Sequence, residues 1–399
     1  MLDQVLDADR RRREVLVRVE TLKAERNQAS DEVARRKKEK QDAGDLMARL
    51  KTSGEEVKAL DSQLRAIDAE LEGLALRIPN LPLSGVPDGD GTGNREIRRW
   101  GAAPQFIFAA QPHWDLGARL GLFDLPRGAK VAGSGFPVFT GAGARLVRAL
   151  AGFMLDLHTR EHGYTEVAPP FVVNRATMTG TGQLPKFQEE LYHVSEDDLF
   201  LIPTAEVPVT NLRRDEILDA AELPLAMTAF TPCFRREAGA HGKDTRGLIR
   251  VHQFDKVELV RIVKPEDSTR ELETITAHAE AVLQKLQLPY RVLQLAAGDT
   301  GFAAACTYDL EVWAAGVGAW LEVSSASTFT DFQARRANIR YRAAAGAKPE
   351  FVHTLNASAL AFPRTIIALL ENNQEADGSV RLPEALVPYM GVERLQPRA

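Results

Sequence analysis

Hydrophobic residues near the start of the chain keep a heptad rhythm. Leu46, Leu50, Ser53, Val57, Leu60, Leu64, Ile67, Leu71 and Leu74 alternate spacings of four and three, which holds one side of a helix against a partner helix. Upstream, Val15, Val19, Leu22, Arg26, Ala29 and Val33 follow the same spacing, and "DAGD" at 42–45 supplies a Gly-containing turn between the two runs. The pattern predicts two long helices packed antiparallel as a hairpin over residues 1–78. It ends in "RIPNLPLSGVPDGDGTGN" at 77–94, whose Pro and Gly content cannot continue a helix. A linker over 79–102 and a second domain over 103–399 are expected from there.

Past that boundary the period changes. "TEVAPPFVV", "LFLIPT", "AMTAFTPCF", "VHQFDKVELVRIV", "YRVLQLA", "YDLEVW" and "AWLEVSS" read as strands, and "LVRALAGFMLDLHTREH" and "DSTRELETITAHAEAVLQKLQ" as helices. Strands follow one another without intervening helices, so a mainly antiparallel α+β sheet is expected rather than a doubly wound parallel one. No Gly-rich nucleotide fingerprint follows a strand, and no internal repeat is evident.

Composition narrows the class. The chain has 399 residues, 44% hydrophobic and 26% charged, enough for one large domain with an appendage. Apolar runs are broken well before a bilayer span, and "MLDQVLDADRRRRE" offers no secretory core, so a cytoplasmic home is expected. The two cysteines, Cys233 and Cys306, lie in no metal-ligand spacing and are expected to be buried thiols. A net charge of -5 argues against attraction of the whole protein to nucleic acid, but charge acts locally. Residues 1–78 carry 17 basic and 17 acidic side chains, with cations clustered at Arg10 to Arg13 and in "RRKKEK" at 35–40. Two readings stand: an ordinary charge-laced helix surface, or an arm that grips phosphates.

The densest chemistry lies in "FRREAGAHGKDTRGLIRVHQFDKVEL" at 234–259. If its flanks are strands, Arg235 shares a face with Glu237, and Arg250, His252, Phe254, Lys256 and Glu258 share another, with Val257 and Leu259 pointing to a core. "AGAHGKDTRG" is expected to be a mobile, cationic turn between them. Arginines fork onto phosphate, an aromatic ring stacks on a base, and a carboxylate accepts from an exocyclic amine, so this face suits a nucleotide. A surface hairpin with cross-strand ion pairs is the plainer alternative.

Further stretches decide between them. "FRRE" with Arg250 to Phe254 resembles motif 2 of the class II aminoacyl-tRNA synthetases. "HGYTEVAPPFVV" with Pro170 resembles motif 1, and "LNASALAFPRTIIALLENNQ" with Arg364 resembles motif 3. "TGQLPKF", "PTAEVPVTN", "TYDLEVW", "DFQARRANIRYR" and "PYMG", in this order after a helical hairpin, are similar to the bacterial-type seryl-tRNA synthetase family over nearly the whole chain. The glycines found in motif 3 of many members are replaced here by Ala357, Ala359 and Pro363.

The resemblance implies a coiled-coil arm followed by a class II antiparallel β-sheet catalytic domain flanked by helices. It implies ATP and Mg²⁺, L-serine, tRNA(Ser) held by the arm with tRNA(Sec) as a further acceptor, and a homodimer joined through residues 146–173. By position, Arg235 and Arg364 are the catalytic arginines. Arg235, Arg236, Glu237, Arg250, Val251, Phe254, Glu322, Val323, Ser324, Ser325 and Arg364 fall in the ATP site, although alternation turns Arg236 away from the nucleotide. Thr204, Ala205, Glu206, Arg235, Glu258 and Ser358 fall in the serine site, and Glu322 with Ser325 at the metal. Thr204 and Glu206 are expected on one strand face. Glu322 and Ser325 would lie on opposite faces of a regular strand, so a bulge or strand end is required between them. A paralogue loading a non-tRNA acceptor, or a scaffold without catalysis, would lack a use for the arm or for the intact arginines respectively.

Overall fold

The computed structural model describes residues 1–239 and 245–397. Of the turn expected to be mobile and cationic, residues 240–244 lie outside the described residues. The chain divides into two compact units, Met1–Ile78 and Pro79–Ala399.

The first unit is a helical hairpin, α1 (Leu2–Lys38) and α2 (Gly44–Ala75). Val15 and Val19 pack with Ile67, and Val33 with Leu46, which fixes the antiparallel pairing that the heptads predict. Lys40, in the left-handed region, turns the chain between them. Arg26 and Ala29 leave the middle of the seam only half-buried. Polar bonds flank this thin seam: Arg11 reaches Glu70 at 2.7 Å, Arg12 reaches Asp68 at 2.6 Å, and Arg36 reaches Asp45 at 3.2 Å. Arg10, Arg13 and Arg35 pair with acids on their own helix. The arginines of both clusters are therefore engaged within the hairpin, as a charge-laced helix surface requires. Among the described residues, Lys37, Lys38 and Lys40 enter no ion pair.

The second unit is built on eight strands. They are β1 (Arg95–Trp100), β2 (Thr165–Glu166), β3 (Leu225–Phe234), β4 (Gln253–Val263), β5 (Tyr290–Gln294), β6 (Cys306–Ala314), β7 (Ala319–Thr330) and β8 (His353–Ala361). They lie in the order β1-β5-β6-β7-β8-β4-β3-β2, antiparallel throughout except for β2 beside β3. Within the span expected as a linker, Arg95–Trp100 pairs with β5 as the sheet edge.

Five helices matter for the site: α3 (His113–Leu120), α4 (Ala142–Arg160), α5 (Glu206–Asn211), α6 (Ser268–Lys285) and α7 (Phe362–Asn372). Leu150 and Met154 of α4, Ile275 and Val282 of α6, and Ile366 and Leu370 of α7 join Val257, Leu259 and Val312 in the main core. The other face of β4 sends Val260 and Ile262 to a second cluster with Ala205 and Val209. Period-two alternation thus holds along β4 and leaves Lys256 and Glu258 facing away from the main core. Both cysteines are free and buried. Among the described residues, no helix is long and apolar enough to cross a membrane.

Candidate active site

Two adjoining chambers open where β3, β4, β7 and β8 meet, and they share Arg235, Glu237, Arg250, Lys256, Glu322 and Ser358. The smaller, of about 160 Å³, is walled by Leu248 to Val251, Phe254, Val323, Pro363 and Arg364. The larger, of about 500 Å³, runs in toward Thr204, Glu206, Ser325 and Asn356.

In the smaller chamber the cations are fixed from behind. Strand β3 stops at Phe234, so the expected alternation of Arg235 with Glu237 does not occur. Glu237 takes a left-handed φ of 50° instead, and that turn aims its carboxylate back to Arg250 Nη1 at 2.9 Å. Likewise β4 begins only at Gln253: Arg250 reaches the site from the preceding loop, while His252 stacks on Phe136 and does not line either chamber. The Arg235 guanidinium lies 5.2 Å from the centre of the Phe254 ring, a geometry in which cation and ring attract. Arg364, in the first turn of α7, donates to the Ile249 carbonyl at 3.2 Å and to the Glu322 carbonyl at 2.8 Å. Arg236 lines neither chamber, so its expected place in the ATP site is corrected.

A bulge brings Glu322 and Ser325 together. Leu310 pairs with Ser324 but Glu311 pairs with Glu322, so Val323 is an extra residue in β7 and both oxygens reach the larger chamber. Ser324 does not reach it; its hydroxyl is buried and donates to the Ser358 carbonyl. Asp309, opposite Ser325, keeps one carboxylate oxygen without a hydrogen-bond partner among the described residues. Burial, then the charge of Glu322, holds its carboxyl well above the ordinary range. Glu322 and Ser325 are hard oxygen donors that fit Mg²⁺. Among the described residues no group of three acids, His or Cys could hold a metal, so such an ion would take its remaining ligands from phosphates and water.

The larger chamber ends in a buried polar network. Thr204 and Glu206 do not share a strand: Thr204 sits in a turn and Glu206 opens α5. The Thr204 hydroxyl accepts from Glu206 N at 3.2 Å and from Lys256 Nζ at 2.9 Å, and donates to Glu258 at 3.2 Å. Lys256 also pairs directly with Glu258. Asn356 donates to Glu206 at 3.0 Å and to Glu258 at 3.2 Å, and Gln333 donates to Glu206 at 2.6 Å. Burial and the charge of Glu258 push the Glu206 carboxyl up to about 7. Burial likewise raises Glu258, against the opposing pull of Lys256. Glu258 itself does not line the chamber, and Ala205 is buried behind it. The expectation that both fall in the serine site is corrected: Lys256 and Asn356 line the chamber in their place. Alternation along β8, which puts Asn356 on the face of Ser358, and along β4, which puts Lys256 on that of Glu258, were the available signals. Gln333 carried none beyond its place in "DFQARR".

A fork of arginines beside a ring, joined to a small pocket of buried carboxylates and hydroxyls, suits a nucleotide triphosphate next to a small polar molecule bearing an ammonium group.

Comparison with known proteins agrees with this chemistry. Residues 1–82 match the family model of the seryl-tRNA synthetase N-terminal domain, and residues 187–373 that of the class II tRNA synthetase core domain (G, H, P, S and T). The chain is 60% identical to the serine–tRNA ligase of Gemmatimonas aurantiaca, over 98% of its own length and 92% of that protein. It is 57% identical to that of Geobacillus kaustophilus over the same shares. Its fold superposes on the crystal structure of seryl-tRNA synthetase from Pyrococcus horikoshii complexed with ATP with a TM-score of 0.94. That match has 38% identity and covers 100% of this chain and 93% of the other.

Proposed function

The chain belongs to the serine–tRNA ligases, ATP-dependent enzymes of the class II aminoacyl-tRNA synthetases, and we propose that it charges tRNA(Ser) with L-serine in two steps. First, the serine carboxylate attacks the α-phosphorus of ATP; a C–O–P bond forms, the α–β anhydride breaks, and pyrophosphate leaves with seryl-adenylate retained. The terminal ribose hydroxyl of the tRNA then attacks the seryl carbonyl, AMP leaves, and the hydroxyl proton passes to the departing phosphate or to water. The tRNA(Sec) acceptor is a second substrate of the same kind.

The observation that carries this reading is the junction of the two chambers at Arg235. Its guanidinium faces the place where carboxylate and α-phosphate would meet, so charge building on the phosphate oxygens is met by a cation already in position. Arg250 and Arg364 lie further along the smaller chamber for the outer phosphates, with Phe254 and Glu237 at the base. Mg²⁺ at Glu322 and Ser325 would add positive charge on the polyphosphate. In the larger chamber Glu206 and the Thr204–Lys256–Glu258 network suit the ammonium and hydroxyl of serine. Alanine would leave their polar atoms unpaired and threonine would need space for a further methyl. Glu258 meets serine only if Lys256 yields its place.

Domain roles follow the same reading: arm over 1–78 and catalytic domain over 103–399, with the expected joining segment of 79–102 belonging to the second unit and giving its sheet the edge strand β1. Phe171 and Val172 of the motif 1 segment are exposed apolar side chains, which favours a homodimer formed there.

Serine-dependent exchange of pyrophosphate into ATP, run with each amino acid in turn, tests the proposal. Exchange with serine far above all others is expected. Exchange with no amino acid, or preference for a different one, would overturn it.

A further inference from the structure

His113 lines neither chamber; it is wholly buried and bonded at both nitrogens of its ring. Its Nδ1 donates to Glu371 Oε1 at 2.8 Å, and its backbone N–H donates to the same oxygen. The other oxygen of Glu371, near the end of α7, accepts from Gly316 N at 2.8 Å and Val317 N at 2.9 Å. This carboxylate is therefore filled by four N–H donors and cannot move without stranding them. The far side of the ring faces the ATP end of the site: His113 Nε2 accepts from Leu248 N at 3.0 Å. Because a backbone amide can only donate, Nε2 must carry no proton, so the proton sits on Nδ1.

A second observation points to the same contact. Gly247 takes φ +66°, and a Cβ there would run into the His113 ring. Next to it, the Arg246 guanidinium lies 4.2 Å from the centre of the Trp114 ring. Three consecutive residues, 246 to 248, thus rest on two consecutive residues at the start of α3. The following peptide is held from the other end of α7, where Arg364 binds the Ile249 carbonyl.

We infer that His113 is a positioning residue for ATP: with Trp114 it clamps residues 246–248, so that the wall formed by Leu248 to Val251, and Arg250 with it, stands at the width the nucleotide needs. This rests on assigning the smaller chamber to ATP. Both ends of α7 enter the clamp, Arg364 by touching the site and Glu371 by holding the histidine. Among the described residues, the Thr204, Glu206, Lys256 and Glu258 network makes no bond to the clamp, which reaches the larger chamber only through Arg250, so a loosened clamp acts chiefly on ATP.

The test is calorimetric titration of the full chain with ATP and, separately, with serine. His113→Leu removes the acceptor for Leu248 N and should weaken ATP binding at least tenfold, with serine binding changed less than twofold. His113→Gln, whose amide oxygen can reach the amide of Leu248, should recover part of the loss. Trp114→Leu, less buried and expected to fold in any case, should weaken ATP alone by about threefold. The inference is overturned if these variants bind ATP as the parent does, or if ATP and serine affinities fall together as a general loss of structure would make them. The functional reading is judged independently, by serine-dependent exchange in the unmodified protein, so either can fail without the other.

Discussion

Lys256 and Glu258, two residues apart on one face of β4, form an ion pair almost wholly removed from water. Thr204 bonds to both. Two charges taken out of water are tolerable only together; either one alone keeps its desolvation cost without the compensating attraction. Lys256→Met should therefore lower the unfolding free energy by about 3–5 kcal/mol, while Lys256→Met with Glu258→Gln should be markedly more stable than the single variant. Denaturant titration of the three proteins measures this. Equal loss in the single and double variants would mean that the pair is not coupled.

Among the described residues, Arg235 is the only guanidinium common to both chambers that also packs on an aromatic ring. If it meets the α-phosphate in the transition state, Arg235→Ala should cut serine-dependent exchange about a hundredfold, on the order of 3 kcal/mol. A variant that keeps most of its exchange rate would remove Arg235 from the chemistry.

Glu206 links the site to pH. Its carboxyl is raised to about 7, chiefly by burial and then by Glu258. An unfolded-chain glutamate titrates near 4.3, so between roughly pH 4.5 and 7 the folded state holds a proton that the unfolded state has released. This contribution to stability is fully present below about 4.3 and is lost as pH rises through about 7. The loss amounts to about 4 kcal/mol at 1.36 kcal/mol per pH unit. Glu206→Gln removes it. The difference in unfolding free energy between parent and variant should therefore shift in the variant's favour from pH 4.5 to pH 8, and parallel stability curves would contradict the assignment.

Much of this was legible as pattern and little of it as geometry. Heptads reported the arm because each seam residue depends only on spacing, and alternation reported β4 because Val257 and Leu259 must enter the core while Lys256 and Glu258 cannot. Alternation failed where strands end. Glu237 meets Arg250 because it takes a left-handed φ just past the end of β3, and Thr204 and Glu206 come together through a turn into α5. The need for a bulge between Glu322 and Ser325 could be stated from spacing, and Val323 supplies it. His113 and Glu371 lie 258 positions apart, and no local period connects them. Nor could spacing say that Lys256 stands in front of Glu258, since both share a face and only packing decides which reaches the cavity.

The arm carries the last prediction, and the ion pairs change its terms. Arg10 to Arg13, Arg35 and Arg36 are already paired with acids of the hairpin, whereas among the described residues Lys37, Lys38 and Lys40 at its turn have no acidic partner. A cation that must leave a carboxylate before it can meet a phosphate contributes less than one that leaves only water. Replacing the three lysines by alanine should therefore weaken tRNA binding and flatten its dependence on log salt by about 0.7–0.9 for each phosphate that is no longer neutralised. Arg12→Ala should instead loosen the hairpin by breaking its bond to Asp68, by at most about 1 kcal/mol for so exposed a pair. Exchange of pyrophosphate should be unchanged in both, because every residue of the two chambers follows position 180. Filter binding of tRNA across a salt series gives the slopes. A lysine-free turn that binds tRNA with the parent's affinity and slope would show that the phosphates are met elsewhere on the hairpin, with the paired arginines exchanging partners on binding.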